Sequence, residues 1–221
     1  MKFFRLPGKN DAVPEVTKGW KVDNGRRIGV ALGLIVYRMR VSGLARVPAS
    51  GPVVFVVNHS TMLDGPVLFG YLPRRVSFLV KAEMFSGFMG WLLTTVGQYG
   101  LNRDVPDRAP LMKALAQLKV GGTVGVFPEC TRGEGGVESV FNGAGWLALR
   151  AGAAVVPIAV RGTRRPAGGR RRFRPRVDVL IGEVFTVGTG AGKTAVESAT
   201  AQIHEKLKSL VSELDERRGR A

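Results

Sequence analysis

Cysteine and histidine are scarce in this sequence of 221 residues, which has one cysteine, Cys130, and two histidines, His59 and His204. A single cysteine excludes an internal disulfide and, with so few histidines, leaves no ligand set for a structural zinc ion. This usage is typical of an intracellular protein. We expect no metal site in it.

Acidic residues are also few, since 17 Asp and Glu side chains stand against 33 Lys and Arg and give a net charge of +16. Such a charge predicts a polyanionic partner, which can be nucleic acid, an anionic membrane surface or a phosphate-bearing substrate. The sequence has no helix-turn-helix, zinc-finger or aromatic RNA-binding signature. A basic nucleic-acid-binding protein is therefore the distant alternative, and we expect no nucleic acid as partner.

Long hydrophobic runs of the kind that span a bilayer are missing as well. The run 28–37 has ten residues, and the run 84–101 has eighteen without a charge but with four glycines. The first run is too short to span, and the glycines of the second favour a buried helix that leads into a buried strand. The start of the chain does not resemble a secretory signal, because polar residues follow its first apolar residues.

Residues 1–40 mix basic side chains with aromatic and aliphatic ones. This composition is typical of a segment lying on a membrane surface and equally of an amphipathic helix capping a core, and both alternatives stay open. We predict peripheral association with an anionic membrane, at its cytoplasmic face. The predicted organisation is the segment 1–40, an α/β core over 41–190 and a C-terminal helix of the same domain over 191–221.

From residue 53 onward, short apolar runs alternate with segments of helical spacing, which is the pattern of an α/β fold. The predicted strands are 53–57, 76–80, 123–127, 154–160 and 176–181, and the predicted helices are 110–119, 143–150 and 194–218. Strands that are apolar throughout are buried on both faces. We therefore predict a single α/β domain, in which helices cover a mostly parallel or mixed central sheet, preceded by a basic amphipathic N-terminal segment.

A histidine and an aspartate, His59 and Asp64, follow the predicted strand 53–57 directly. An imidazole is a suitable general base near neutral pH, and a carboxylate on its other nitrogen fixes the tautomer and stabilises the imidazolium. The alternative is a structural histidine beside an aspartate that caps the helix beginning at Gly65 and Pro66. The spacing alone is compatible with both.

A second polar segment, Phe127 to Gly133, follows the predicted strand 123–127. Its arginine, Arg132, is suited to bind a phosphate, and the neighbouring Glu129 and Thr131 are suited to orient a hydroxyl. The alternative is an ion pair between Glu129 and Arg132 within the loop.

Four sequence blocks taken together resemble the glycerolipid acyltransferases, a family typified by bacterial 1-acylglycerol-3-phosphate acyltransferase. The blocks are Asn58 to Asp64, Gly97 to Arg103, Phe127 to Arg132 and Val155 to Ile158. The likeness covers residues 41–185. One departure is Cys130, which stands where the family usually has glycine and indicates an ordinary backbone conformation there.

The resemblance implies that His59 deprotonates the free hydroxyl of a lysophosphatidic-acid-like acceptor while Asp64 orients the imidazole. The acyl donor would be acyl-CoA or acyl-carrier protein, with no other cofactor. Glu129 and Thr131 would shape the acceptor pocket. Three basic side chains would hold the acceptor phosphate: Lys81, Arg103 and Arg132. An alternative within the family is another lysolipid or a glycolipid as acceptor.

The arginine-rich loop 161–176 would face a membrane, coenzyme A or an acidic carrier protein, or be only a solvated loop.

Overall fold

The computed structural model describes residue 14 and residues 17–59, 61–102, 108–128, 137–164 and 173–220. Within these residues the strands are β1 (Arg38–Ser42), β2 (Val53–Val57), β3 (Ser77–Lys81), β4 (Tyr99–Leu101), β5 (Thr123–Val126), β6 (Ala154–Arg161), β7 (Arg176–Ile181) and β8 (Phe185–Thr186). The α-helices are α1 (Gly19–Val36), α2 (Asp64–Tyr71), α3 (Gly87–Thr95), α4 (Ala109–Lys119), α5 (Val137–Ala151) and α6 (Lys193–Gly219).

The strands form one mixed sheet in the order β1-β7-β6-β2-β5-β3-β4, with β8 beside β6. Strand β2 is parallel to both neighbours, β5 and β6, and β3 is parallel to β5 and β4. Strand β7 is antiparallel to β6, and β1 is parallel to β7. The strands β2, β3, β5 and β6 therefore all end at one edge, which we call the carboxyl edge. Sites in α/β proteins form at this edge.

Helices cover both faces of the sheet, because the central strands are apolar on both faces. Phe55 and Val57 of β2 point toward α1 and α2, where they belong to one core with Leu68. Val54 and Val56 point to the other face, into a core built by α4, α5 and α6. The predicted α/β domain with a mixed, helix-covered sheet is confirmed.

The predicted elements agree with the observed ones wherever the sequence is continuously apolar. The bounds of β2 and β7 are those predicted. Those of β5, β6 and α4 differ by one residue at one end, and those of β3 and α6 by one residue at each end. Helix α5 begins six residues earlier than predicted, at residue 137. Strand β1 was not predicted, because it alternates exposed basic side chains with partly buried ones at the edge of the sheet.

Helix α1 packs one face on α2 and exposes the other. The guanidinium of Arg26, which is fully buried, donates to the backbone oxygens of Phe69 and Leu72 at the end of α2. These carbonyls belong to the last turn of a helix, where no partner exists within the helix itself. The outer face of α1 exposes large apolar side chains: Trp20, Ile28, Leu32, Leu34 and Ile35. Helix α1 thus has a buried face, as expected of a helix that caps the core, and an exposed apolar face, as expected of a segment on a membrane surface.

The prediction of a buried helix within the run 84–101 is wrong. Gly90 is the one buried residue of α3, while the side chains of Phe88, Met89, Trp91 and Leu92 are exposed. The following strand β4 is buried at Tyr99 and Leu101, as predicted. Among the described residues, no helix combines the length and the apolar character needed to cross a bilayer.

Candidate active site

Asn58 fixes the point at which the chain leaves β2. Its side-chain amide donates to the backbone oxygen of Val160 at 3.1 Å, and the Val160 N–H donates to its side-chain oxygen at 2.7 Å. Through these two hydrogen bonds, the buried side chain of Asn58 continues the pairing of β2 with β6 beyond the last residue of β2. His59 follows at once, so its backbone starts from a fixed position at the carboxyl edge.

Asp64 is the first residue of α2, and its side chain is fully buried. Its Oδ2 atom lies 3.3 Å from Nδ1 of His59 and accepts the Thr61 N–H at 2.8 Å. Its Oδ1 atom accepts the hydroxyl of Thr163 at 2.6 Å. The distance between the two side chains is slightly longer than a well-formed hydrogen bond. The five-residue spacing does bring the carboxylate back to the imidazole.

The side chain of His59 is 35% exposed, whereas its carboxylate partner is shielded from water. A carboxylate facing Nδ1 favours the tautomer with the proton on Nδ1, which leaves Nε2 as the basic nitrogen. On its other side the ring packs against Phe127, with centroids 4.7 Å apart, and Phe127 stacks on Phe78. The carboxylate of Asp64 and the ring of Phe127 thus together orient the imidazole.

Asp64 is not the N-cap of α2, so the alternative in which this aspartate only caps the helix is wrong. The N-cap position is held by Leu63, which makes no side-chain cap bond. Asp64 adds negative charge to the first helical turn, which favours the helix through its dipole. The hydrogen bonds just described link the carboxylate to Thr61 before the helix and to Thr163 in another loop. Its catalytic role stays a prediction.

Lys81 ends β3 and therefore lies at the same carboxyl edge as His59. Its ammonium is half exposed and pairs with Glu83 at 2.9 Å. Four other predicted site residues lie outside the described residues, as does Cys130: Arg103, Glu129, Thr131 and Arg132. Their roles stay predictions. In the described part of the chain, no cluster of His, Cys, Asp or Glu is arranged to hold a metal ion.

Thr163, which follows β6 at the carboxyl edge, is a residue of this site that was not predicted. The available signal is a Gly162-Thr163 pair directly after a buried strand, but in the sequence this pair stands within the arginine-rich segment 161–176, which predicts one basic loop. Two of those arginines are in strands and paired: Arg161 contacts Asp215 at 2.7 Å, and Arg176 contacts Asp178 at 2.8 Å. Residues 165–172 lie outside the described residues.

The chain is similar to known proteins in both sequence and fold. The model of the family described as Acyltransferase matches residues 38–161, a segment that contains both His59 and Asp64. The chain belongs to the Acyltransferase family. The resemblance inferred from the four sequence blocks is confirmed, and so is the expectation that this protein is an acyltransferase enzyme.

This acyltransferase is similar to named enzymes and to a solved crystal structure. The 1-acyl-sn-glycerol-3-phosphate acyltransferase of Bacillus subtilis is 27% identical over 80% of this chain and 90% of its own length. The chloroplastic enzyme LPAT1 of Arabidopsis thaliana is 35% identical over 58% of this chain and 37% of its own length. The crystal structure of the 1-acyl-sn-glycerophosphate acyltransferase PlsC from Thermotoga maritima has a TM-score of 0.67 at 23% identity, covering 88% of this chain and 79% of that one. The likeness to PlsC establishes a shared fold.

Proposed function

We propose that this acyltransferase moves a fatty acyl group from acyl-CoA or acyl-carrier protein to the free hydroxyl of lysophosphatidic acid, in phospholipid biosynthesis. The observation that carries the proposal is the buried carboxylate of Asp64 at 3.3 Å from Nδ1 of the partly exposed His59. The acceptor is suggested by the names of the relatives, which are 1-acyl-sn-glycerol-3-phosphate acyltransferases.

In the proposed reaction, Nε2 of His59 takes the proton of the acceptor hydroxyl while the oxygen attacks the thioester carbonyl. The carboxylate of Asp64 stabilises the imidazolium that forms. The tetrahedral intermediate collapses, the carbon–sulfur bond breaks, and the leaving thiolate takes the proton from the imidazolium. An ester and a free thiol result, and His59 returns to its neutral form. The step needs no nucleophile from the protein.

The acceptor phosphate would be bound by basic side chains beside the carboxyl edge. Lys81 ends a strand at this edge and carries its ammonium at the surface. Exchange of its exposed Glu83 partner for a phosphate costs little, because exposed ion pairs are weak. Arg103 and Arg132 would complete the phosphate site, with Glu129 and Thr131 shaping it, as the family resemblance implies.

We propose further that the protein works as a peripheral protein on the cytoplasmic face of an anionic membrane. The exposed apolar side chains of α1 and the net charge of +16 favour this arrangement. Flotation with neutral and with anionic vesicles tests it, and anionic lipid should strengthen binding. Equal binding to both vesicles would contradict the proposal.

The function is tested by incubating the purified protein with labelled acyl-CoA or acyl-carrier protein and lysophosphatidic acid, with His59→Ala as the inactive control. Formation of phosphatidic acid by the wild type alone is the expected result. Other lysolipids and a glycolipid serve as competing acceptors, and preferred acylation of one of them would replace the proposed acceptor. A DNA gel shift at physiological salt examines the nucleic-acid alternative, and no specific shift is expected.

A further inference from the structure

Helix α3 presents an apolar surface for which the sheet provides no cover. Residues 84–101 contain no charged side chain, and in α3 Phe88 is 73% and Trp91 61% exposed. The rings of Phe88 and Trp91 stack with centroids 5.5 Å apart, and Met89 and Leu92 are exposed beside them. Isolated exposed apolar residues are normal, but a contiguous cluster marks an interaction surface.

The end of α3 lies beside α1, and α3 follows a strand that ends at the carboxyl edge. The hydroxyl of Thr17, just before α1, donates to the backbone oxygen of Thr95 at the end of α3 at 2.5 Å. A Cβ at Gly25 of α1 would lie 2.7 Å from the side chain of Val96, so the two segments are in close contact. Helix α3 also follows β3, whose end lies at the carboxyl edge with His59. The exposed Met62 and Leu63 stand beside His59 in sequence.

We propose that α3 is a second bilayer-contacting element, which inserts its apolar side chains into an anionic membrane together with the outer face of α1. Charge selects the bilayer over a second copy of this chain, since two molecules of net charge +16 repel each other and anionic lipid attracts them. Exposed basic residues of the α1 segment, Lys18 and Arg27, add local attraction. This inference deepens the proposed function, because a lipid acceptor would then meet His59 beside the membrane.

Tryptophan fluorescence tests the proposal without turnover. The chain has three tryptophans, so a full-length variant with Trp20→Phe and Trp146→Phe keeps Trp91 alone. With vesicles of phosphatidylcholine and phosphatidylglycerol, the Trp91 emission should shift to shorter wavelength and be quenched by brominated acyl chains. A matched variant that keeps only Trp146, on α5 at the opposite face of the sheet, should not be quenched.

Two results would overturn the role of α3. One is an unquenched Trp91 under conditions that quench Trp20 in the variant retaining only that residue, which would leave α1 as the sole contact. The other is a blue-shifted Trp91 in the absence of vesicles together with a dimeric mass in sedimentation, which would assign the surface to a second copy of the chain.

Substitution of the exposed side chains gives an independent measurement. The double variant Phe88→Ser and Trp91→Ser should bind the same vesicles at least about tenfold more weakly, because two large apolar groups no longer leave water. The control, Met112→Ser with Val120→Ser, changes exposed apolar residues on and after α4 at the opposite face and should bind as the wild type does. Binding of the α3 variant within twofold of the wild type would refute the proposal.

Activity separates this inference from the proposed function. On a short-chain lysophosphatidic acid below its micelle concentration, the α3 variant should keep the wild-type kcat, while on vesicles its rate should fall with its binding. If the wild type acylates no lysophosphatidic acid in either form, the proposed function fails, whereas the quenching of Trp91 still decides the role of α3. If both substrates lose activity equally in the α3 variant, a surface role is refuted.

Separately, we propose that Thr163 is a positioning residue for the proposed reaction. Its buried hydroxyl donates to Oδ1 of Asp64 at 2.6 Å. The preceding Gly162 has a φ of 95°, and a Cβ there would lie 2.1 Å from the backbone oxygen of Arg176. The loop after β6 is therefore held against β7, and the hydroxyl reaches the carboxylate from a fixed backbone.

The contact with Thr163 fixes the rotation of the carboxylate. Thr163 holds Oδ1 of Asp64, and the Thr61 N–H holds Oδ2 at 2.8 Å, so Oδ2 stays aimed at Nδ1 of His59. Oδ1 also accepts the Thr61 hydroxyl, but at the longer distance of 3.4 Å. Loss of the short hydrogen bond from Thr163 therefore loosens the hold on Oδ1, and the carboxylate can turn about its terminal torsion, whose energy profile is broad. The inference rests on the proposed role of His59 and Asp64.

The test uses Thr163→Val, which keeps the shape and removes the hydroxyl, and Thr163→Ser, which restores it. The valine variant should lose about tenfold in kcat with both KM values unchanged, and the serine variant should recover most of that loss. Thr123→Val is the matched control, since it removes another buried hydroxyl, one that donates to the Arg75 backbone, and should affect stability but not kcat.

A valine variant within twofold of the wild-type kcat, alongside an inactive His59→Ala, would refute the role of Thr163 alone. Loss of activity in proportion to the unfolded fraction, or no recovery with serine, would also refute it. An active His59→Ala variant would instead remove the proposed dyad, and the role of Thr163 with it.

Discussion

Replacement of Asp64 by asparagine removes a charge from the candidate site with little change of shape. The amide oxygen can accept the Thr61 N–H and face His59 as Oδ2 does now. The amide nitrogen then meets the hydroxyl of Thr163, which donates to Oδ1 in the present structure and can accept instead by rotating. The variant should therefore fold, and its thermal midpoint should stay within about 4 °C of the wild type, the shift produced by about 1 kcal/mol at this size.

The loss of activity follows from the distance between the two side chains. A unit charge at 3.3 Å from an imidazolium contributes about 5 kcal/mol at an effective dielectric constant of about 20. Water reaches the 35% exposed ring of His59, and we discount the figure for this screening to about 2–4 kcal/mol. The expected decrease in kcat is therefore about 30- to 900-fold.

The assay measures kcat and the thermal midpoint for the wild type, Asp64→Asn and His59→Ala with lysophosphatidic acid. Asp215→Asn is the matched control, because it neutralises a half-exposed carboxylate of α6, on the face of the sheet opposite α2, that pairs with Arg161, and it should keep the wild-type kcat. If Asp64→Asn retains kcat within about threefold of the wild type, far less than the loss of an orienting charge causes, His59 and Asp64 are not the catalytic pair.

Three further predictions concern stability and substrate binding. Asn58→Leu should lower the free energy of unfolding by about 2–4 kcal/mol in urea titrations, because it leaves the buried N–H and C=O of Val160 without this partner; an unchanged urea midpoint would contradict this. A hydrogen bond from Arg75 holds the pKa of Asp23 below its ordinary 3.8, so their pair stabilises the fold above that pH and the contribution is lost as pH falls through the lower folded-state pKa. Asp23→Asn should therefore lose stability at pH 7 and lose less than the wild type on acidification; parallel curves of stability against pH would argue against the pair. Arg132→Lys should raise the KM for the acceptor more than the KM for acyl-CoA, since lysine lacks the two-pronged grip on phosphate, and an equal rise in both would place Arg132 outside the acceptor site.

The sheet was predictable because its central strands are short and apolar throughout. The five residues of β2 are all buried, so their hydrophobicity alone gave the bounds of the strand. The approach of Asp64 to His59 was predictable for a similar local reason, since both residues follow one strand within a single loop and helix start. Strand β1 was missed, because an edge strand with exposed arginines carries little hydrophobic signal.

Two features of the site region depend on contacts that no local pattern contains. Thr163 lies 99 positions from Asp64, and their contact exists only because β6 pairs with β2 and both end at the same edge. The glycines of the run 84–101 led to the prediction that α3 is buried, but composition cannot distinguish side chains that pack on a sheet from side chains that point outward. Exposure of Phe88 and Trp91 became evident only from the fold.

The order of the strands bears on what part of this chain can fold by itself. Residues 38–161, the segment shared with the family, begin with β1. In the described sheet, however, β1 joins the other strands through β7 (Arg176–Ile181), which lies outside that segment. A chain trimmed to the shared segment would leave β1 without its neighbour and β6 with an open edge, which invites aggregation. The segment shared with the family is thus shorter than the segment that completes the sheet of this chain.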